Sequence, residues 1–232
     1  MSKRIDEVLV EEGFAPTRSQ AKQLIEEEVV FYDGKKVKKA GKKIPSPDKL
    51  EIQTTSTYVG RGARKLEAAI EKFQIDPSQK IVADVGASTG GFTDYLLQKG
   101  AQKVYAIDVG HSQLAEKLRN NPAVINMEKT DIRDVEELPE KVDLAVVDLS
   151  FISLKLVLEK ITSLIKPKGQ IIILIKPQFE VGKEGLGKNG IVKDKELTKK
   201  ILEDFRTICE RIIPSPIKGK EGNQEYLGFI NL

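Results

Sequence analysis

The stretch Ile81 to Gly91, read as Ile-Val-Ala-Asp-Val-Gly-Ala-Ser-Thr-Gly-Gly, constrains the fold more than any other part of the chain. Its first half is short, apolar and rich in β-branched residues, the pattern of a strand buried on both faces. Its second half is small and flexible, so the strand breaks there. Beyond it, Phe92, Tyr95 and Leu96 recur at helical spacing, which puts the glycines in a strand-to-helix turn whose backbone a ligand can approach closely. Gly86, Ser88 and Gly91 nearly reproduce the dinucleotide fingerprint, but a side chain at Ser88 would crowd a pyrophosphate. Asp84 sits inside the strand, and Asp108 ends the next apolar run, Val104 to Ile107, where a carboxylate can accept hydrogen bonds from ribose hydroxyls. Alone, a glycine turn is often just a tight connection and Asp108 a helix cap. Found together within one βαβ-sized unit, they favour S-adenosylmethionine over NAD.

From Ile81 onward, strand and helix patterns alternate: Ile81 to Val85, Phe92 to Gln98, Val104 to Asp108, Gln113 to Arg119, Val124 to Met127, Leu144 to Asp148, Leu154 to Ile165 and Ile171 to Lys176. Such alternation implies an α/β fold with a parallel sheet covered on both faces and ligands at the carboxyl ends of its strands. Gly86, Asp108, Asp148 and Lys176 all terminate apolar runs, and Asp131 follows the run ending at Met127, the usual place of an adenine-side carboxylate. A long helix, Lys195 to Arg211, then precedes segments 212 to 217 and 226 to 230, which read as an antiparallel hairpin closing the sheet.

Ahead of this domain the periods are shorter. Residues 4 to 12 place Ile5, Val8 and Leu9 on one helical face, ended by Gly13, and Thr17 with Gln20 opens a second helix carrying Ala21, Leu24 and Ile25. Val29 to Tyr32 reads as a strand, Asp33-Gly34 as a tight turn and Leu50 to Ile52 as a returning strand. The polar stretch 53 to 59 is the expected linker, dividing an N-terminal module, 1 to 57, from a domain over 58 to 232. Net charge is only +3, yet seven lysines stand between Lys35 and Lys49 against one acid, Asp48. A lysine run is usually a solvated loop; beside a compact module it is also the footprint of nucleic-acid binding. One cysteine, Cys209, and one histidine, His111, exclude a disulfide framework and a Cys/His zinc site. No leader-like segment opens the chain, and the longest aliphatic run, Ile171 to Ile175, is far below the ~20 residues of a spanning helix. A cytoplasmic setting follows as the expectation.

Asp148 and Lys176 would project above adjacent strands. A charge capping a buried strand needs a partner, so the bland reading is a salt bridge between them. The N-terminal residues Arg4-Ile5-Asp6, Leu9, Gly13-Phe14, Thr17-Arg18, Ala21, Leu24-Ile25, Val29 and Asp33-Gly34 resemble the small α+β RNA-binding module of a small-subunit ribosomal protein, of pseudouridine synthases and of tyrosyl-tRNA synthetases. That likeness implies RNA contacts at Arg4, Arg18, Lys22, Lys35 and Lys36; Glu28 and Asp33 depart from the module's usual glycine and asparagine. Over nearly its whole length the chain resembles the TlyA, or hemolysin A, type of ribosomal RNA 2′-O-methyltransferase. The motifs are Tyr58-Val59-x-Arg61-Gly62, Lys65-Leu66-Glu67, Asp84 to Thr93, Asp148-x-Ser150-Phe151-Ile152-Ser153-Leu154, Lys176-Pro-Gln-Phe-Glu180, Ser215-Pro-Ile-x-Gly219 and Gly222-Asn223-x-Glu225. The passage Cys209 to Pro214 is shorter than the family's.

The resemblance implies a Rossmann-like methyltransferase sheet and a catalytic tetrad of Lys65, Asp148, Lys176 and Glu225, shared with FtsJ-like enzymes. It also implies a cytidine in ribosomal RNA, free or within a subunit, as substrate. The expected S-adenosylmethionine contacts are Asp84, Gly86, Ser88, Gly90, Gly91, Asp108 and Asp131. A ribose hydroxyl must lose its proton as it attacks the methyl group, so Lys176 is the candidate base, with Lys65 favouring its neutral form and the two carboxylates orienting the cluster. No metal is required. Rival readings are a membrane-active hemolysin, a noncatalytic RNA-binding protein and a base methyltransferase with Cys209 as nucleophile. The first lacks a spanning segment, the second would have lost Asp148 or Lys176, and the third needs Cys209 at a strand end rather than on the expected helix.

Overall fold

A computed structural model describes residues 2–15, 17–26, 29–53, 58–219 and 221–232, which fall into two compact units, Met1–Thr57 and Tyr58–Leu232. The first contains β1 (Lys3–Arg4), α1 (Ile5–Glu11), α2 (Arg18–Glu26), β2 (Val30–Tyr32), β3 (Lys35–Lys36), β4 (Lys43–Ile44) and β5 (Leu50–Ile52). Ile5, Val8 and Leu9 of α1 and Ala21 and Ile25 of α2 form one core with Val30, Val37, Ile44 and Leu50. Thr17 Oγ1 accepts the Gln20 amide at 3.2 Å, capping α2. One expectation is corrected, and another holds with an added strand the pattern did not mark. Arg4 is extended, its backbone paired with Lys43 in β1, instead of opening the first helix. The turn at Asp33 and Gly34, both at positive φ, leads into the two-lysine strand β3, while Leu50–Ile52 pairs the other edge of β2. A two-residue turn of that hand joins only neighbouring antiparallel strands, so the residues directly after it must be the partner. Residues 54–57 of the expected linker, and Glu28 with its neighbour Glu27, lie outside the described residues.

The second unit contains α3 (Ala63–Phe73), β6 (Ile81–Val85), α4 (Gly91–Gln98), β7 (Lys103–Asp108), α5 (Glu116–Arg119), β8 (Val124–Glu128), β9 (Val142–Val147), α6 (Leu158–Ser163), β10 (Ile165–Ile175), α7 (Pro177–Glu180), α8 (Lys195–Phe205), β11 (Arg211–Pro214) and β12 (Tyr226–Asn231). Seven strands make one sheet in the order β11-β12-β10-β9-β6-β7-β8. Strands β6 to β10 run parallel, and β12 is antiparallel to both β10 and β11. Alternate residues feed opposite faces: Ala83, Val85, Ala145 and Val147 enter one core, Val82, Leu144 and Val146 the other, beneath Leu66, Ile70 and Phe73 of α3. The chain steps outward from β6 to β8, then returns to β9 on the far side of β6. That reversal opens a crevice at the carboxyl ends of β6 and β9.

Several helices are shorter than their periodicity predicts. The segment expected to be helical from Gln113 begins at Glu116, because Glu128 takes the Gln113 and Leu114 amides at 2.7 and 3.0 Å. The span 154 to 165 breaks at Val157, and Ile165 already belongs to β10, which passes a register shift before Gln170. The helix from Lys195 ends at Phe205, so Cys209 lies beyond it, and the edge strand is Arg211–Pro214 rather than 212 to 217. Among the described residues no helix is long and apolar enough to cross a membrane.

Candidate active site

The turn after β6 is built for close approach. Gly86 has φ +88, and a Cβ there would strike the backbone carbonyl of Asp148, while one at Gly91 would lie 2.9 Å from the Val59 carbonyl oxygen. Gly90 has φ +94, and Ser88 itself stands at φ +49. Asp108, at the end of β7, fixes this turn: its carboxylate accepts the Ser88 amide at 2.8 Å and the Gly110 amide at 2.7 Å. Asp84 is fully buried; Thr93 Oγ1 donates to one of its oxygens at 2.6 Å, and the other has no hydrogen-bond partner among the described residues. Burial pushes its carboxyl up to about 7.

Beside the turn is a cleft of about 480 Å³, within the usual range for small-molecule sites. Gly86, Asp108 and Asp131 line it, with Ile107, Val109, Thr130, Ile132, Leu149, Ser150 and Leu156. S-adenosylmethionine fits this donor set. The apolar slot suits the adenosine, Asp108 suits ribose hydroxyls, and the unpartnered oxygen of Asp84 suits a cationic group. Asp131 also lines the cleft, and its carboxylate is engaged by a neighbour. Arg133 holds it through Nε at 3.0 Å, Nη2 at 2.6 Å and the backbone amide at 2.9 Å, because a carboxylate two residues ahead caps the short turn 132–134. Thr130 and Val109 were not legible as lining residues, since each lies just past a strand end without chemical distinction, and Leu156 was not because it sits on the short turn 154–156.

The four expected catalytic residues come together at the carboxyl ends of the strands. Asp148 follows β9 and Lys176 follows β10; because β12 runs antiparallel with Tyr226 opposite Ile175, Glu225 arrives beside Lys176. Lys176 Nζ lies 2.6 Å from Asp148, and Lys65 Nζ lies 2.6 Å from Glu225 and 3.9 Å from Asp148. Lys65, Lys176 and Glu225 are all buried. Lys65 falls off the apolar face of α3 by periodicity, yet it is buried because the first turn of that helix meets the carboxylates. Desolvation alone would raise the Asp148 carboxyl, but the ammonium groups of Lys176 and Lys65 outweigh it and hold it below the usual range. Two ammoniums and two carboxylates thus offset one another's charge in a poorly solvated pocket, with Asp148 Oδ1 left without a hydrogen bond among the described residues. Cys209, 6% exposed, has its thiol pushed up to about 12 by burial, which removes it as a nucleophile.

In the N-terminal unit, Asp6 is fully buried and accepts from Arg4 Nε and Arg18 Nη2, each at 3.0 Å. The hydrogen bond from Arg4, assisted by Arg18, lowers its carboxyl to about 2. Both guanidiniums are therefore tethered, at half exposure or less, while Lys22, Lys35 and Lys36 are exposed.

Comparison with known proteins agrees in both units. Residues 58–231 match the model of the FtsJ-like methyltransferase family, and residues 3–49 match the S4 domain. The chain is 41% identical to the 16S/23S rRNA (cytidine-2′-O)-methyltransferase TlyA of Mycobacterium tuberculosis, over 96% of this chain and 87% of that protein. It is 38% identical to the 23S rRNA (cytidine-2′-O)-methyltransferase TlyA of Campylobacter jejuni, over 92% and 93%. Among solved structures, a protein named as a hemolysin from Streptococcus thermophilus aligns with a TM-score of 0.78 at 37% identity, covering 99% of this chain and 88% of that one.

Proposed function

The chain belongs to the FtsJ-like methyltransferase family, alongside the TlyA proteins, and on that premise we propose that it methylates the ribose 2′-hydroxyl of a cytidine in ribosomal RNA. The observation that carries this reading is the Lys65–Asp148–Lys176–Glu225 cluster at the rim of a cleft suited to S-adenosylmethionine. When bound, the cofactor supplies a methyl group activated on a sulfonium. The residues of the chain do the rest. Neutral Lys176 takes the proton of the attacking hydroxyl, and Asp148 fixes its place. Lys65, held by Glu225, adds positive charge where the ribose oxygen becomes anionic. Asp84, Gly86, Ser88, Gly90, Gly91 and Asp108 hold the cofactor, so hydroxyl and methyl group are presented in line.

The S4 unit, residues 1–57, is the RNA-docking module, with Lys22, Lys35 and Lys36 on phosphates and Arg4 and Arg18 held in place by Asp6. The reaction belongs in the cytoplasm, on ribosomal RNA or a ribosomal subunit. Mapping 2′-O-methylation across ribosomal RNA from cells with and without the protein tests the whole reading. At least one cytidine methylation should vanish on deletion and return with the intact gene; identical maps would overturn it.

A further inference from the structure

Lys176 touches a second oxygen besides Asp148: its Nζ donates to Ser150 Oγ at 2.8 Å. Ser150 is exposed and lines the cofactor cleft. A neutral amine carries two hydrogens and one lone pair around its nitrogen. Ser150 Oγ at 2.8 Å takes one of those hydrogens and the chain carbon fills another direction, while Asp148 Oδ1 lies 2.6 Å away as an ion-pair contact outside hydrogen-bond geometry. The hydrogen bond to Ser150 therefore sets the rotation of the amine about its chain carbon, and with it the direction in which the lone pair points.

We propose that Ser150 is a positioning residue that aims the lone pair of Lys176 at the substrate hydroxyl, an inference that rests on Lys176 being the base. As the 2′-oxygen takes the methyl group from the sulfonium, its proton moves onto that lone pair, and the positive charge passes from sulfur to the lysine. A hydroxyl suits this task. A second carboxylate in its place would favour the ammonium form, which has no lone pair to offer. The other charges facing the site are already spent on one another: Glu225 on Lys65, and Lys65 on Asp148 as well.

The surrounding loop is braced for such a role. Lys176 leads directly into α7, and Glu180 at the end of that helix accepts the Ser153 hydroxyl at 2.5 Å and the Leu154 amide at 2.8 Å. The ring of Phe179 also meets that of Phe151, 5.1 Å between centroids. The segment carrying Ser150 is thus tied to the segment carrying Lys176, so their contact is held from both sides.

The test uses the full chain, S-adenosylmethionine and deproteinised ribosomal RNA from cells lacking the gene. Ser150→Ala should lower kcat about tenfold, the effect of one oriented hydrogen bond, with Kd for cofactor and for RNA unchanged. Ser150→Thr, which keeps the hydroxyl, should restore most of the rate. In a Lys176→Ala background, Ser150→Ala should cost nothing further. Wild-type turnover in Ser150→Ala, a threonine variant as slow as the alanine one, or an undiminished tenfold loss on top of Lys176→Ala would each overturn the inference. Full activity in Lys176→Ala would instead sink the base assignment beneath it.

Discussion

A lysine can serve as a base only in its neutral form, and its neighbours decide how that form is presented. Lys176 stands 10% exposed between Asp148 and Ser150, which fixes its position but leaves charge and basicity as distinguishable roles. Lys176→Ala should lower turnover by about 10² to 10⁴, the usual contribution of a positioned base, with cofactor affinity little changed. Lys176→Arg separates the two roles, since a guanidinium keeps the charge and cannot accept a proton. It should be as inactive as the alanine variant; substantial activity would make Lys176 an electrostatic positioner. At this scale the sequence was a good guide where a charged residue ended an apolar run, as at Asp148 and Lys176. It was a poor guide where the partner lay elsewhere in the chain. Nothing in the sequence marked Arg133 as the partner of Asp131, and nothing around Ser150 announced its hydroxyl as a partner of Lys176.

Elements obey local chemistry when their ends are marked and tertiary contacts when they are not. The turn at Asp33 and Gly34 was written in the dipeptide, and it presents Lys35 and Lys36 on β3 at the surface of the S4 unit. If these lysines neutralise phosphates, replacing both by alanine should weaken RNA binding across sequences. Each lost contact should also flatten the dependence of log affinity on log salt by about 0.7 to 0.9. Binding measured from low to moderate salt checks this, and an unchanged slope would take β3 out of the interface. The helices show the opposite case. Periodicity ran 113 to 119 and 154 to 165 as single helices, but Glu128 captures the Gln113 and Leu114 amides ahead of the first, and the second, its Leu154 amide held by Glu180, breaks at Val157. A carboxylate 14 or 26 residues away in sequence is invisible to any local pattern.

For the molecule as a whole, folding must accommodate an acid at the centre of its sheet. Burial raises Asp84 from an ordinary carboxyl to about 7, so between roughly pH 4 and 7 the folded chain holds a proton that the unfolded chain releases. The stability associated with that proton is complete below the unfolded value and is lost as pH rises to about 7. It amounts to a few kcal/mol at most. Asp84→Asn keeps an acceptor for Thr93 and carries no charge, so it should gain stability relative to the wild type between pH 5 and 8 in urea unfolding. Parallel curves at the two pH values would show that Asp84 folds as an ordinary carboxylate. The alternation of strand and helix, the glycine turn and the polar residues at strand ends could be read from the chain alone, because buried strands and tight turns depend on near neighbours. Only the tertiary structure decided which of those residues meet. The reversal of direction at β6, the antiparallel entry of β12 and the overhang of α3 bring Lys65 and Glu225, 160 positions apart, to 2.6 Å. Such a distance is set by the packing of whole layers, which no local stretch of residues encodes.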